Sequence, residues 1–293
     1  QHRGLTSPGN LHHHLAGDQT TMPFDATTAH EADQITIPEA LAAPGLLIYR
    51  GPSEIDGEQI AVILTLTSTN RKTGAMAQTW IIRSDIDPIT ASREGADQSI
   101  CGGCVFRGTP DPAKASGWAR GRGCYVNLLF RPNALFKTLR AGRFRACTPQ
   151  RAGEIVEALG LPLRAGAYGD PVAAPDHVHA PLIEAAPSHT AYTHQWRDMP
   201  APSWAMASAD SYEQAAEAWG RGLRTFRVVS DVSEIDAARE VLCPASEEAG
   251  KRTTCDRCGL CAGTSTKSPK SIAIPAHGGG GAKQAASRAV GAS

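Results

Sequence analysis

Hydrophobic positions divide the chain into a central body and two polar ends. Residues 1–42 carry no sustained apolar period, and a glycine run at 278–281 precedes an Ala-, Ser- and Lys-rich end. We therefore predict flexible tails at 1–42 and 279–293 and one composite domain at 43–278. The longest strong apolar run, 60–66, is far shorter than the roughly 20 residues that a membrane span needs. The pattern excludes a membrane protein.

The first part of the domain, 43–98, is β-rich. Three apolar runs separated by turn residues predict a meander of three strands at 46–49, 60–67 and 77–83. In the turn at 70–74 we expect Gly74 to take a left-handed backbone conformation.

The second part, 99–278, alternates short strands with amphipathic helices. Strands are predicted at 124–129, 163–168, 191–194, 204–207, 225–229 and 271–274. Helices are predicted at 134–140, 149–159, 212–219 and 234–241, with another ending near Ala186, and with Thr148 and Ser211 as N-caps. Such alternation indicates an α/β fold with a parallel sheet, closed as a (β/α) barrel or partial barrel. The body of about 235 residues is close to the typical length of one barrel.

Polar side chains follow the predicted strands. In a parallel barrel the carboxyl ends of the strands carry the active site. The residues there include Tyr168, Asp170, Tyr192, Thr193, His194, Ser208, Asp210, Arg227, Ser230, Asp231 and His277. A plain solvated rim would be richer in Lys and Glu. We take Tyr192, His194, Asp170 and Arg227 as candidates for binding a substrate and moving protons, since His changes charge near neutral pH.

Seven of the eight cysteines fall into two groups with metal-ligand spacing. The first group is Cys101, Cys104 and Cys124; the second is Cys243, Cys255, Cys258 and Cys261. Two-residue spacing lets neighbouring thiolates bind one ion or cluster, and three cysteines at that spacing are typical of the [4Fe–4S] segment of bacterial ferredoxins. Zinc sites more often use separated pairs. The spacing favours an iron–sulfur cluster, with zinc as the alternative, and no export signal supports disulfides.

The fourth ligand differs between the groups. Pro244 after Cys243 resembles the ferredoxin Cys-Pro and makes Cys243 the fourth ligand of the second group. For the first group three alternatives stay open: an open iron that binds substrate, a fourth ligand such as Cys147, or a cluster shared by both groups. Radical S-adenosylmethionine enzymes also place a cluster at a barrel mouth, but their Cys-x3-Cys-x2-Cys spacing is missing, so S-adenosylmethionine is only an alternative cofactor.

Charge is balanced over the chain but not along it. Lys and Arg number 29 against 29 Asp and Glu, yet the stretch 107–145 holds nine basic residues and a single acid, Asp111. This surplus compensates a negative cluster, attracts an anionic substrate or nucleic acid, or forms a solvated helix face. The candidate partners are therefore a small-molecule or nucleotide substrate, an electron donor, and nucleic acid bound through 107–145.

A set of short motifs resembles a known family. They are Ser-Thr-Asn-Arg-Lys-Thr-Gly (68–74), Cys-Gly-Gly-Cys-Val-Phe-Arg (101–107), Cys-Tyr-Val (124–126), Tyr-Gly-Asp-Pro (168–171), Tyr-Thr-His-Gln-Trp (192–196), Met-Ala-Ser (206–208), Phe-Arg-Val (226–228) and the terminal Cys-x2-Cys-x2-Cys. Over about 45–278 the chain is similar to phage-encoded proteins of unknown function related to gene product 88. The resemblance implies a phage or prophage origin, hence the cytoplasm of the bacterial host, and no particular activity. Met22 is a candidate natural start, and the sequence leaves open whether 1–21 belongs to the natural protein.

Three hypotheses follow from these residues. The first, which the strand-end residues favour, is an iron–sulfur enzyme with redox or radical-type chemistry on an unknown substrate. The second is a zinc-stabilised nucleic-acid- or protein-binding module without catalysis. The third is a virion or assembly component in which a cluster only stabilises the fold.

Overall fold

The computed structural model describes residues 32–264 and 268–276. Within these ranges the strands are β1 (Leu46–Pro52), β2 (Gln59–Thr65), β3 (Ala77–Arg83), β4 (Arg145–Ala146), β5 (Leu163–Tyr168), β6 (His189–Thr190), β7 (Tyr192–Thr193), β8 (Met206–Ala209), β9 (Thr225–Val229), β10 (Glu240–Leu242) and β11 (Ser271–Pro275). The helices are α1 (Ile37–Ala42), α2 (Pro88–Glu94), α3 (Gln98–Cys101), α4 (Arg131–Arg140), α5 (Pro149–Ala158), α6 (Asp176–Ala185), α7 (Tyr212–Gly220) and α8 (Cys255–Cys258). Short 3₁₀ helices span Val105–Arg107, Pro171–Ala173, Gln195–Arg197 and Val232–Glu234.

The predicted meander forms the centre of the first sheet. Strands β1, β2 and β3 pair antiparallel, and the six-stranded order is β4-β1-β2-β3-β5-β6. β2 and β3 are buried almost throughout, because α5 and α6 contribute Ile155 and Leu182 to the same hydrophobic core. Burial on both faces explains why these strands are continuous apolar runs rather than alternating ones.

The second sheet is wholly parallel, in the order β10-β11-β9-β8-β7. β6 and β7 are separated only by Ala191, so one short segment pairs with the first sheet and then with the second. The α/β class and the mainly parallel pairing are confirmed. Closure into a barrel is not shown, since the described strands form two separate sheets, with β4 and β6 as the outer strands of the first and β7 and β10 as those of the second.

Two predicted helix caps are present. Arg151 donates its backbone N–H to the hydroxyl of Thr148 at 3.2 Å, and Gln214 donates to the hydroxyl of Ser211 at 3.3 Å. Each bond satisfies a backbone donor that the first turn of α5 or α7 leaves without an intrahelical partner.

Two predicted elements are wrong. Residues 124–129 form turns instead of a strand: Tyr125 and Leu129 are exposed, and the Asn127 side chain accepts from the Leu129 N–H at 3.0 Å. Residues 234–241 contain the end of a 3₁₀ helix and most of β10 instead of a helix, because β10 pairs with β11 and its Glu240 side chain is bound by an arginine of β9.

The ordered body begins earlier than predicted. α1 lies inside the segment predicted as a tail, where Thr36 and Glu39 form a reciprocal capping box and Ala40 is buried. The rest of the predicted tails, 1–31 and 279–293, lies outside the described residues, as does His277. Among the helices in the described ranges, none combines the length and the apolar character that crossing a bilayer requires.

Candidate metal centre

One cavity of about 650 Å³ brings both cysteine groups together. Strands of both sheets line it, including β5 and β8. Its cysteines form a cysteine trio and a cysteine quartet: Cys101, Cys104 and Cys124, and Cys243, Cys255, Cys258 and Cys261. Three of the predicted site residues, Asp170, Tyr192 and His194, line the same cavity. The structure brings neither Cys147 nor Arg227 to its lining.

The cysteine trio is assembled by backbone hydrogen bonds. Cys101 ends α3, and Cys104 donates its N–H to the Cys101 carbonyl at 3.2 Å in a tight turn. Cys124 joins them because its N–H donates to the carbonyl of Phe106 at 2.9 Å. The three thiols are near enough to influence one another: burial raises the pKa of Cys101 well above its ordinary value, and Cys104 and Cys124 raise it further.

Long-range side chains fix the turn between Cys101 and Cys104. The Gln195 amide donates to the Cys101 carbonyl at 3.2 Å and accepts from the Gly103 N–H at 3.3 Å. Arg107 also donates to the Gly102 carbonyl at 2.8 Å and forms an ion pair with Asp97 at 2.6 Å. One member of the basic stretch is therefore part of the support of the trio.

The cysteine quartet is anchored to the second sheet and to the meander. Cys243 follows β10 and donates its N–H to the Ala273 carbonyl of β11 at 2.8 Å. Cys255 opens α8 and donates its N–H to the Lys72 carbonyl at 3.1 Å. The turn at 70–74, which is remote in sequence, thus packs directly on residues 255–261, the quartet loop.

Gly74 permits the close contact between the 70–74 turn and the quartet loop. It has φ +75°, the left-handed conformation predicted from the sequence. A Cβ at this position would lie 2.3 Å from the Asp256 carboxylate, which accepts from the Ala75 N–H at 3.1 Å. Only glycine lets the turn approach the quartet loop this closely.

Cationic side chains lie beside the buried thiols. Burial raises the pKa of Cys255, and Arg164 and Lys72 oppose that rise. Burial likewise raises the pKa of Cys124, where Arg122 opposes it. Burial raises the pKa of Cys261 to about 12, although Tyr192 opposes the rise. Such thiols ionise only beside positive charge, which a bound metal supplies.

Arg164 lies between the two cysteine groups. Its guanidinium stacks over the Tyr125 ring, 5.6 Å from the centroid, and hydrogen-bonds to the Tyr125 hydroxyl. Burial lowers its pKa, but Tyr125, Tyr192 and the thiols of both groups outweigh burial and the net pKa is raised. In the described part of the chain no carboxylate forms an ion pair with it. Sequence reasoning missed this residue, since a single arginine inside β5 carries no motif.

His194 and Asp170 belong to one hydrogen-bonded unit. The Asp170 carboxylate accepts from the His194 N–H at 2.8 Å, the Thr193 hydroxyl at 3.1 Å and the Gln195 amide at 3.3 Å. The imidazole Nε2 of His194 lies 3.3 Å from the Asp210 carboxylate. Burial lowers the pKa of His194, but Cys104 and Asp210 outweigh it and hold that pKa well above its usual value.

Tyr168 carries a buried hydroxyl that forms no hydrogen bond within the described part of the chain. The side chain lines the cavity and is 3% exposed, and its Oη has no partner within the described ranges. Burial raises its pKa well above the usual value, and the nearby Cys101 adds to the rise. A buried hydroxyl without a partner is costly. Its position beside the trio fits a polar group bound by these cysteines.

Arg227, the fourth predicted site residue, has another partner. Its Nε and Nη2 donate to the two oxygens of Glu240 at 2.8 and 2.6 Å, and Nη2 also donates to the Glu234 carbonyl at 2.7 Å. Both side chains of the ion pair are buried. This geometry joins β9 to β10.

Among the described residues, no three His, Cys, Asp or Glu side chains are arranged to hold a single metal ion. Comparison of the chain with protein-family models, curated proteins and solved structures found no significant match.

Proposed function

We propose that this chain is a phage-encoded iron–sulfur enzyme of the bacterial host cytoplasm, with the cysteine trio and the cysteine quartet holding iron–sulfur clusters. The observation that carries the proposal is that seven cysteines, from segments up to 160 residues apart, line one cavity. The Tyr168 hydroxyl, which has no hydrogen-bond partner among the described residues, and the cationic side chains beside the thiols fit an anionic, sulfide-rich group. We expect the two sheets to form the partial barrel around it.

Under this proposal each group of cavity residues has its own role. Cys243, Cys255, Cys258 and Cys261 hold one [4Fe–4S] cluster, and the trio holds a second; bound clusters supply one-electron chemistry. Arg164 and Tyr125, between the two groups, bind an anionic small molecule or nucleotide. Tyr192 lines the cavity beside Cys261 and opposes the rise of its pKa. Asp170 orients the His194 backbone.

Metal analysis of the full chain tests this proposal. Purified and reconstituted without oxygen, it should be brown, absorb at about 400 nm and contain iron and sulfide in equal amounts. Cys104→Ser and Cys258→Ser should each lose about half of the iron. Cys147→Ser is the matched control and should lose none, because this cysteine is buried away from the cavity. Stoichiometric zinc without sulfide would contradict the proposal and support a zinc-stabilised binding module.

A second candidate function is nucleic-acid binding through 107–145. The observation that favours it is an exposed basic face at the end of α4 and after it, formed by Lys137, Arg140 and Arg143. Replacing all three by Ala should weaken binding of a single-stranded oligonucleotide and reduce its salt dependence. Arg257→Ala, an exposed arginine elsewhere, is the control. Equal binding by the triple variant and the wild type excludes this function for the face.

A further inference from the structure

The cysteine trio offers three thiols to a cluster that has four iron positions. Several side chains near the trio are already committed. Asp97 is paired with Arg107 at 2.6 Å, and Asp170 is taken by three donors of the 193–195 segment. Cys147 is buried beside β1, where its N–H donates to the Leu47 carbonyl at 3.0 Å, and it does not line the cavity.

Among the described residues, His194 is the histidine that lines the same cavity as the trio. It lines the cavity at the carboxyl end of β7, and the side chain of the next residue, Gln195, donates to the Cys101 carbonyl at 3.2 Å and accepts from the Gly103 N–H at 3.3 Å. The imidazole Nε2 of His194 faces the Asp210 carboxylate at 3.3 Å, and the His194 backbone N–H is held by Asp170 at 2.8 Å. A histidine that ligates a metal commonly directs its other ring nitrogen to a carboxylate, which sets the tautomer and the ring orientation. The Asp210–His194 pair, which lines the same cavity as the trio, has that arrangement.

We propose that His194 is the fourth protein ligand of the cluster held by Cys101, Cys104 and Cys124, and that Asp210 is its positioning residue. This inference rests on the proposed iron–sulfur function. With this ligand the two clusters differ: one is held by four thiolates, and the other by three thiolates and an imidazole. Imidazole in place of thiolate raises a cluster's reduction potential. The trio cluster is therefore the one of higher potential.

Pulsed electron paramagnetic resonance of the reduced, reconstituted full chain tests the ligand directly. The wild type should show the hyperfine coupling of a nitrogen bound to a cluster, and growth on ¹⁵N-histidine should change that coupling to the ¹⁵N pattern. The coupling should be lost in His194→Ala and kept in His189→Ala. His189 is the matched control, because it lies on β6 in the same segment, is buried and binds the Trp204 carbonyl at 3.0 Å outside the cavity.

Two more variants distinguish ligation from packing. His194→Cys should keep the cluster and lower its reduction potential, since a thiolate replaces the imidazole. Asp210→Asn should keep the nitrogen coupling and shift the potential, because the imidazole loses its carboxylate partner. If His194→Ala does not fold, the labelled wild type still decides the question.

The outcomes separate the two proposals. A chain with clusters in both groups but no nitrogen coupling in the wild type overturns histidine ligation and leaves the iron–sulfur function intact. A potential unchanged in His194→Cys overturns it as well. A chain that binds no iron and sulfide under reconstitution overturns both proposals.

Discussion

Arg227 and Glu240 form a buried ion pair whose side chains are 3% and 0% exposed. Removing one partner leaves the other charge buried without compensation. We expect Arg227→Ala to lower the free energy of unfolding by about 3–5 kcal/mol while iron per folded chain stays unchanged. Urea denaturation and metal analysis measure the two quantities. Arg227→Met with Glu240→Leu should recover much of the stability. Wild-type stability in Arg227→Ala, with a loss of iron, would contradict this structural role.

His179 makes folding sensitive to acid. It is fully buried beside Thr79, and burial lowers its pKa from 6.5 to about 4. Between these values the unfolded chain binds a proton that the folded chain does not, so the free energy of unfolding falls as the pH decreases through this window, by about 3 kcal/mol in total. His179→Gln should flatten the stability profile of the metal-free chain between pH 6.5 and 4. The exposed His177→Gln should not, and an equal effect of both substitutions would argue against burial as the cause.

At the scale of elements, the sequence pattern predicts those strands and helices whose bounds depend on local hydrophobicity. β3 and β9 begin and end at the predicted residues, because each is a short run flanked by polar turns. β10 was missed, since its position depends on Arg227 and on pairing with β11. The grouping of seven cysteines could be predicted from their spacing, and the structure places both groups on one cavity. Arg164 and Lys72 could not, because tertiary packing alone brings them to the thiols.

The contact between the 70–74 turn and the quartet loop gives a prediction at this scale. Gly74→Ala places a methyl group against Asp256 and should displace the loop that carries Cys255. Gly57→Ala is the matched control: it also has a positive φ, but no atom lies within 4 Å of a Cβ there. Both variants should lose about 1 kcal/mol of stability from the backbone alone. Only Gly74→Ala should release metal faster to a chelator, and equal release rates in the two variants would contradict the contact.

Over the whole molecule, hydrophobic burial is uneven. The core of the first sheet joins β1, β2, β3 and β5 with α5 and α6 in one cluster of buried aliphatic side chains. The core of the second sheet is small, and Cys243 and Cys261 are among its few buried members. Apolar burial therefore stabilises the first sheet by itself. Under the proposed function, we expect the second sheet to depend on the cluster that its cysteines hold.

Hydrogen exchange of the chain with and without metal tests this dependence. Removing the metal should leave β1, β2 and β3 protected, because their core contains no quartet cysteine. Exchange in β8, β9 and β11 should rise by at least about tenfold, since opening of this sheet no longer breaks metal–thiolate bonds. Cys147→Ser should show the same two-part pattern, because Cys147 belongs to the first core and lies outside the cavity. A uniform rise over both sheets, or none in the second, would mean that the cysteines do not stabilise the second sheet through a bound metal.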